Sequence, residues 1–547
     1  MAPGSKVSFA RLVSRCALAT VAVSACSTAV PSRGIQIESS YSPWWRDGGV
    51  CYEVFVRSFY DSDGDGVGDL RGLTARLDYI NDGNPNSTKS LGANCVWLMP
   101  IAKAKSYHGY DVIDYYHVDP HYGTDDDFRG FVREAHRRGI HVIVDFVPNH
   151  SSSDHPFFQA ALKDPASKYR KWYRFSETDP KQPGPWGQVA WHKSPLRDEY
   201  YYGVFWHEMP DLNYQNPEVM QEMMNVTRHW VMSMGVDGFR FDAIPYLIEQ
   251  GDTLTHSSGT HAVLRHFAFA IRASSSSQAF TVGEESDMAA LPSYYPDQLD
   301  SYFEFGVAAG TMESARTGTA AAFVREVSRA NTLPEGRWAP FLTNHDQPRV
   351  MTVLGDAAKA RVAASAMLLL PGTPFVYYGE EIGMIGDKPD ETIRTPMQWT
   401  SGMNGGFTTG KPWEALQADW VSKNVAAQES DERSLLNHYR RLIHFRNAHL
   451  ALSRGTLLIG STNDSRTSAF IRSAGPETAL IVLNFGDAAV RNLIASMNAT
   501  FVTDQMRPLY ADPADGCGST RSGNDTKSVS LDSIAAHGLC VFELSTK

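Results

Sequence analysis

The octapeptide Gly238-Phe-Arg-Phe-Asp-Ala-Ile-Pro245 sets Arg240 and Asp242 two residues apart, with Phe239, Phe241 and Ala243 alternating against them. In a strand this spacing puts the guanidinium and the carboxylate on one side and the apolar residues on the other. Buried charges must be paired. The pair is either a structural ion pair at a strand end or a nucleophilic carboxylate kept ionised by the cation beside it. Three other stretches end in groups of the same kind. Ile140-His-Val-Ile-Val-Asp-Phe-Val147 is a mostly apolar run that carries Asp145 and leads into Pro148-Asn149-His150. Phe280-Thr-Val-Gly-Glu-Glu285 ends in Glu284 and Glu285, and Phe341-Leu-Thr-Asn-His-Asp346 ends in His345 and Asp346. A histidine or carboxylate at one strand end is usually structural, but several converging on one face have the makings of acid–base and nucleophilic chemistry.

The elements that must bring them together alternate regularly. Tyr52–Val56, Val96–Met99, Ile140–Val147, Gly238–Asp242, Phe280–Glu285, Tyr302–Phe305, Phe341–Asp346 and Pro374–Glu381 read as strands. Helical stretches separate them, among them Gly72–Ile80, Asp125–Gly139 and Pro217–Met234. Eight such units are the expectation for an α/β fold, a (β/α)₈ TIM barrel, whose strand C-termini share one catalytic face. Residues 151–202 break the rhythm with Pro, Trp, Tyr and Lys, which predicts a small inserted domain after the third strand. Ser434–Asn447 reads as the last helix of the barrel, placing its two parts at 46–150 and 203–447. Beyond it, residues 448–547 switch to short alternating strands with Gly and Asp turns, an antiparallel β domain. A chain of 547 residues is too long for one core, so several domains are expected.

Asp61-Ser-Asp63-Gly-Asp65-Gly-Val67-Gly-Asp69 is a tight loop of oxygen donors suited to one Ca²⁺. The expected ligands are the side chains of Asp61, Asp63, Asp65 and Asp69 and the carbonyl of Val67. It is not an EF-hand, because Gly72 stands where that pattern has Glu. The N-terminus reads as a targeting segment. Lys6, Arg11 and Arg15 precede a short apolar run ending in Val23-Ser-Ala-Cys26, which resembles a bacterial lipobox with Cys26 as the lipidated residue. Residues 27–45 form a linker. An exported lipoprotein follows, facing the periplasm or anchored in the outer membrane, with simple secretion as the alternative. The membrane is a partner through the lipid alone. Export permits disulfides among Cys51, Cys95, Cys517 and Cys540. Cys51 and Cys95 open successive strands, so Cys51–Cys95 with Cys517–Cys540 is geometrically reasonable, while four cysteines allow three pairings. A net charge of −11 without a Lys or Arg run in the mature part argues against nucleic acid. The chain is expected to be a monomer.

Asp145-Phe-Val-Pro-Asn-His150, Gly238-Phe-Arg-Phe-Asp242, Val282-Gly-Glu284 and Phe341-Leu-Thr-Asn-His-Asp346 resemble, in order, four motifs of glycoside hydrolase family 13, the α-amylase family. Met209-Pro-Asp-Leu-Asn213 resembles the motif at the end of that family's domain B. The resemblance covers about residues 44–545. It implies a barrel, a domain B at 151–202 and a C-terminal β-sandwich. Asp242 corresponds to the nucleophile, Glu284 to the general acid/base and Asp346 to the carboxylate that holds the sugar hydroxyls and favours ring distortion. Arg240 supports Asp242, Asp145 belongs to the sugar-binding set, His150 and His345 bind the sugar at the scissile bond, and Tyr110 stacks on it. Arg240 is expected to lower the pKa of Asp242 and nearby negative charges to raise that of Glu284. Asn149 corresponds to a ligand of a second Ca²⁺ in many relatives.

Finer features point in two directions. Asp111 and Arg394, the latter in Ile393-Arg-Thr-Pro-Met-Gln-Trp399, resemble a pair that holds the non-reducing end in the α-glucosidase and trehalose-synthase branch. Met209 in the domain B motif, Tyr377-Tyr-Gly-Glu-Glu-Ile-Gly383 and Leu435–His444 resemble the intermediary α-amylase subfamily between oligo-1,6-glucosidases and neopullulanases. The reading taken is a retaining hydrolase of α-1,4-glucans or maltooligosaccharides with some transglycosylation. The alternative is an α-glucosidase or a maltose-converting trehalose synthase. Relatives that act only as scaffolds lack the catalytic residues; here all three carboxylates are present.

Overall fold

The computed structural model describes residues 43–275, 279–295, 297–498, 502–512, 514–522 and 527–545. The expected targeting segment with Cys26, and the linker up to residue 42, lie outside the described residues.

Eight strands form one parallel sheet: β1 (Cys51–Val54), β2 (Cys95–Leu98), β3 (His141–Phe146), β4 (Gly238–Phe241), β5 (Phe280–Gly283), β6 (Ser301–Phe303), β7 (Trp338–Ala339) and β8 (Phe375–Tyr377). Their order is β7-β6-β5-β4-β3-β2-β1-β8. Between β7 and β8 the ring is drawn shut by Thr373 N donating to Trp338 O (3.0 Å) and Phe375 N donating to Pro340 O (2.8 Å). This is the expected (β/α)₈ barrel. β2, β4 and β5 are buried along their whole length, as strands covered on both faces must be. The helix Asp125–Arg137 shows how the outer layer is specified. Thr124 and Asp127 form a capping box at its start, and Phe128, Phe131, Val132 and Ala135 bury one stripe at helical spacing.

Three expectations shift at their edges. Phe341–Asp346 is not a strand. Pro340 has no N–H to offer the ladder, so β7 stops at Ala339 and the motif lies in the loop beyond it. There Asn344 Oδ1 accepts from Asp346 N (3.0 Å) and shapes the turn that displays His345 and Asp346. The expected helix Pro217–Met234 is α-helical only over Pro217–His229 and widens into a π-type turn over Trp230–Met234, ended by left-handed Gly235. Gly72–Ile80 divides into Leu70–Ala75 and Leu77–Ile80.

Between β3 and β4 the chain adds the helix Pro156–Lys163 and a three-stranded antiparallel sheet of Phe175–Ser176, Trp191–Lys193 and Tyr200–Tyr202. Bridges between His150 and Asp211 and between Tyr173 and Leu212 tie both ends of this insertion to each other. After the barrel, a five-stranded and a four-stranded antiparallel sheet pack face to face on Leu480, Val482, Leu493, Leu531 and Phe542. Fully buried Arg472 fastens this β domain to the barrel, and fully buried Arg446 anchors the last barrel helix beside it. Arg446 donates to the carbonyls of Leu368, Leu370 and Gly372, and Arg472 to those of Leu369 and Gly455. The carbonyls of Leu368, Leu369, Leu370 and Gly372 lie at and beyond the C-terminus of the helix Ala357–Leu368, and that of Gly455 caps the helix Leu450–Arg454; unpaired acceptors and the helix dipole favour cations at such ends. Cys51 pairs in register with Cys95 and is bridged to it, and Cys517 is bridged to Cys540. Among the described residues no helix is long and apolar enough to cross a membrane.

Candidate active site

The strand C-termini open into a cleft of about 450 Å³. Arg240 on β4 lies under its floor, 1% exposed. Its Nη1 donates to Asp242 Oδ1 (2.7 Å) and to Asp145 Oδ1 on β3 (3.0 Å), and its Nη2 donates to Glu284 Oε2 at the end of β5 (2.6 Å). One guanidinium thus binds three carboxylates from three adjacent strands. Asp242 N donates to Phe146 O and Glu284 N to Phe241 O, both at 3.0 Å, which prolongs the ladders to the catalytic face. The chain then turns sharply at Ala243, whose φ of 52° is left-handed and uncommon for a residue with a Cβ.

A second network meets the first. His345 is fully buried; its Nδ1 lies 2.6 Å from Glu53 Oε1 on β1, and its Nε2 lies 2.6 Å from the Tyr110 hydroxyl and 3.1 Å from Asp346 Oδ2. Tyr110 donates to Asp145 Oδ2 at 3.0 Å. Arg394 donates from Nη2 to Asp346 Oδ1 (2.9 Å) and from Nε to the His345 carbonyl (3.0 Å).

Burial dominates the titration of the centre. It pushes Glu284 up to about 7, against the pull of Arg240 and with the help of Asp242 and Asp346. It pushes Asp242 and Asp145 up to about 6 each, again against Arg240. Arg240 lowers the pKa of Asp242, as expected, but desolvation outweighs the cation and leaves it raised. Glu284 still stands above Asp242, so between the two values one holds a proton and the other is ionised. Asp346 goes the other way. Burial would raise it, but His345 and then Arg394 hold it well below the ordinary carboxylate range. Burial lowers His345, yet Asp346 and Glu53 lift it to about 10, so it is an imidazolium near neutrality.

Residues 53–455 match the family model described as the alpha amylase catalytic domain. The chain is 38% identical to Alpha-amylase 3 of Dictyoglomus thermophilum over 451 residues, covering 81% of this chain and 85% of that one. It is 34% identical to the trehalose synthase/amylase TreS of Mycolicibacterium smegmatis, covering 78% and 80%. The crystal structure of an α-amylase from H. orenii superposes with a TM-score of 0.82 at 38% identity, covering 91% of this chain and all of that one. The chain belongs to the α-amylase family.

It is accordingly a glycoside hydrolase, and the remaining cleft residues can be placed on that footing. Tyr110, His150, Asp242, Glu284, Asp346 and Arg394 line the cleft, while Asp145, Arg240 and His345 lie beneath it. Burial pushes His150 down to about 3, leaving it neutral. Asp111 stands apart from its expected role. It is fully buried, its Oδ1 accepts from Ser106 N (3.0 Å) and Ser106 Oγ (2.6 Å), and it does not line the cleft. The Ser106–Tyr110 loop folds back on it, and Arg394 pairs with Asp346 and Asp390 (3.3 Å) instead. Asp390 and Glu53 were not singled out from sequence. Glu53 had a signal, a lone carboxylate in the otherwise uncharged run of β1.

In the acidic loop, one carboxylate oxygen each from Asp61, Asp63 and Asp65 lie within 4.8 Å of one another. Asp61 accepts from Asp63 N, Gly64 N and Gly66 N and from Thr408 Oγ1; burial opposes its ionisation, but these donors hold its pKa down. Asp69 turns elsewhere: it accepts from Ser62 N and Oγ and, as the cap of Leu70–Ala75, from Gly72 N. At the insertion, Asn149 Oδ1 and Asp211 Oδ2 are buried without a hydrogen-bond partner among the described residues.

Proposed function

We propose that the chain is a retaining α-glucan hydrolase of the α-amylase type, cleaving α-1,4-glucosidic bonds in maltooligosaccharides through a covalent glycosyl-enzyme. The observation that carries this reading is the Arg240 fork, which holds Asp242 and Glu284 through its two terminal nitrogens. A retaining glycosidase needs two carboxyl groups only about 5–5.5 Å apart, so that one can attack the anomeric carbon directly. Two carboxylates on one guanidinium suit that separation. Asp242 attacks C1 while Glu284 gives its proton to the departing oxygen. Glu284, now ionised, takes a proton from the incoming hydroxyl, whose oxygen displaces Asp242 from C1. Asp346, kept anionic by His345 and Arg394, is placed to bind sugar hydroxyls and to favour positive charge on the ring. His150, kept neutral, offers a hydrogen bond without a competing charge.

The structural ion belongs to this reading. Asp61, Asp63 and Asp65 would hold Ca²⁺ with all-oxygen ligation, and their gathering in one loop fits such a hard cation. A second Ca²⁺ at Asn149 would find two orphaned oxygens, Asn149 Oδ1 and Asp211 Oδ2.

Trapping tests the chemistry. A 5-fluoro-α-glucosyl fluoride should leave a glycosyl adduct on the peptide containing Asp242. An adduct elsewhere, or inactivation without one, overturns the assignment.

A further inference from the structure

β1 carries a carboxylate that lies outside the cleft and that the steps above do not use. Glu53 is 1% exposed and is the one charged residue in Cys51–Val54. Its ladder neighbours are Trp97 on β2 and Tyr377 on β8. A buried carboxylate must be paired or neutralised. Glu53 is paired with His345, whose Nδ1 lies 2.6 Å from its Oε1. Burial raises Glu53, against the pull of His345 and then of Arg240.

His345 is faced on every side. From the segment between β2 and β3, the Tyr110 hydroxyl stands 2.6 Å from Nε2 and the Tyr110 ring stacks at 5.6 Å. From the loop beyond β7, Asp346 Oδ2 stands 3.1 Å from the same nitrogen. Trp97 on β2 meets the ring in a T-shaped contact, 5.6 Å between centroids. Arg394, after β8, holds the His345 carbonyl, and Arg240 reaches the Tyr110 hydroxyl at 3.4 Å. Asp145 and Glu284 feel the charge of His345 from the ends of β3 and β5. Two carboxylates thus accept at opposite nitrogens, and an imidazole donates from both only when it carries both protons. Tyr110, which gives its own proton to Asp145 Oδ2, is left to accept at Nε2. A neutral ring with its proton on Nδ1 would instead turn a lone pair towards Asp346.

We propose that Glu53 is a positioning residue for hydrolysis: accepting from Nδ1, it keeps His345 a donor at both nitrogens, so that Nε2 aims Asp346 and Tyr110 at the sugar ring under attack. This rests on the Asp242–Glu284 reading above. Glu53 touches no substrate atom and acts through His345 alone. As C1 takes on positive charge, the anion of Asp346 helps most if it is already oriented. The loss of that orientation therefore falls on kcat more than on KM. Arg394 holds the other Asp346 oxygen, so removing the Glu53 arm weakens the centre without dismantling it.

α-Glucosyl fluoride reads this arm, because fluoride departs without a proton and the first step then needs no acid from Glu284. kcat and KM are followed by fluoride release from pH 7 to 10 in wild type, Glu53→Gln, His345→Gln and the double variant. Wild type should hold a plateau until His345, lifted to about 10, begins to lose its proton. Glu53→Gln should lose about tenfold at pH 7, mostly in kcat, and its alkaline limb should move down by about one to two pH units. In the His345→Gln background the same change should cost less than about twofold. An unmoved limb, or losses that multiply in the double variant, overturns the proposal. If Glu53→Gln does not fold, the nitrogen-15 signals of the wild-type His345 ring decide, assigned by their loss in His345→Gln. Both nitrogens protonated at pH 8 support the proposal, and one bare nitrogen overturns it. A wild type inert on the fluoride and on maltoheptaose would instead defeat the hydrolase reading, and this role of Glu53 with it.

Discussion

Replacing Glu284 with Gln should abolish turnover and yet stabilise the folded protein at pH 8. Burial raises the Glu284 carboxyl from its ordinary 4.5 to about 7. The folded state therefore holds that proton more tightly than the unfolded chain does. Its favourable contribution is complete below about pH 4 and is lost as the pH rises through about 7. At pH 8 both states are ionised, and the folded state carries the penalty of a desolvated charge, at most about 3 kcal/mol. Gln keeps the acceptor but not the charge that binds Arg240 at 2.6 Å, and the side chain is 26% exposed, both of which reduce the gain. A net stabilisation of about 1–2 kcal/mol remains. Thermal unfolding of wild type and Glu284→Gln, followed by tryptophan fluorescence at one scan rate and fixed calcium, reads it directly. The variant should melt about 1–2 °C higher at pH 8, and the curves should converge at pH 4. A variant that melts no higher at pH 8, or is raised equally at pH 4, would refute the argument that burial controls this carboxyl.

Other consequences can be measured alongside. Catalysis requires Asp242 ionised and Glu284 protonated, so kcat/KM should follow a bell, falling below about pH 6 and above about pH 7; a flat profile from pH 5 to 8 contradicts the assignment. Removing calcium with a chelator should lower the melting temperature, excess Ca²⁺ should restore it, and Asp61→Ala should respond less to both than wild type does. If the chelator leaves the wild-type melting curve unaltered, the acidic loop is not a calcium site. Replacing Cys51 and Cys95 by Ala removes a crosslink across a sequence separation of 44. Chain entropy alone assigns it about 4 kcal/mol, so the variant should melt several degrees lower with its kinetics intact.

Much of this site could be read in the sequence because strand ends are written locally. A polar residue closing an apolar run, as in Asp145 or Glu284, is visible within six residues, and the barrel then dictates that such ends converge. Cys51 and Cys95 were legible for the same reason, since first residues of neighbouring parallel strands meet. What escaped depends on loops returning to the barrel. Asp111 resembles a sugar-binding residue by motif, but the loop it sits in folds Ser106 onto it and buries it. Asp390 is the exception, a local partner four residues before Arg394 on one short helix, and its spacing could have been read. Glu53 meets His345 across a separation of 292 residues, which no local pattern encodes. The end of β7 was misplaced although Pro340 announced it, because the apolar Phe341 and Leu342 continued the strand-like composition. Arg240 was legible as a partner of Asp242; that it also holds Asp145 and Glu284 follows from the parallel register of β3, β4 and β5.

The central claim is that Asp242 and Glu284 cleave an α-glucan with net retention. Proton NMR of maltoheptaose digestion, with maltose in parallel, reads both the anomer first released and the products. α-Anomers should appear first, with mixed shorter oligosaccharides early and maltose barely touched. β-Anomers first would contradict the double displacement, and trehalose or glucose from maltose with maltoheptaose ignored would show a sealed pocket rather than an open α-amylase cleft.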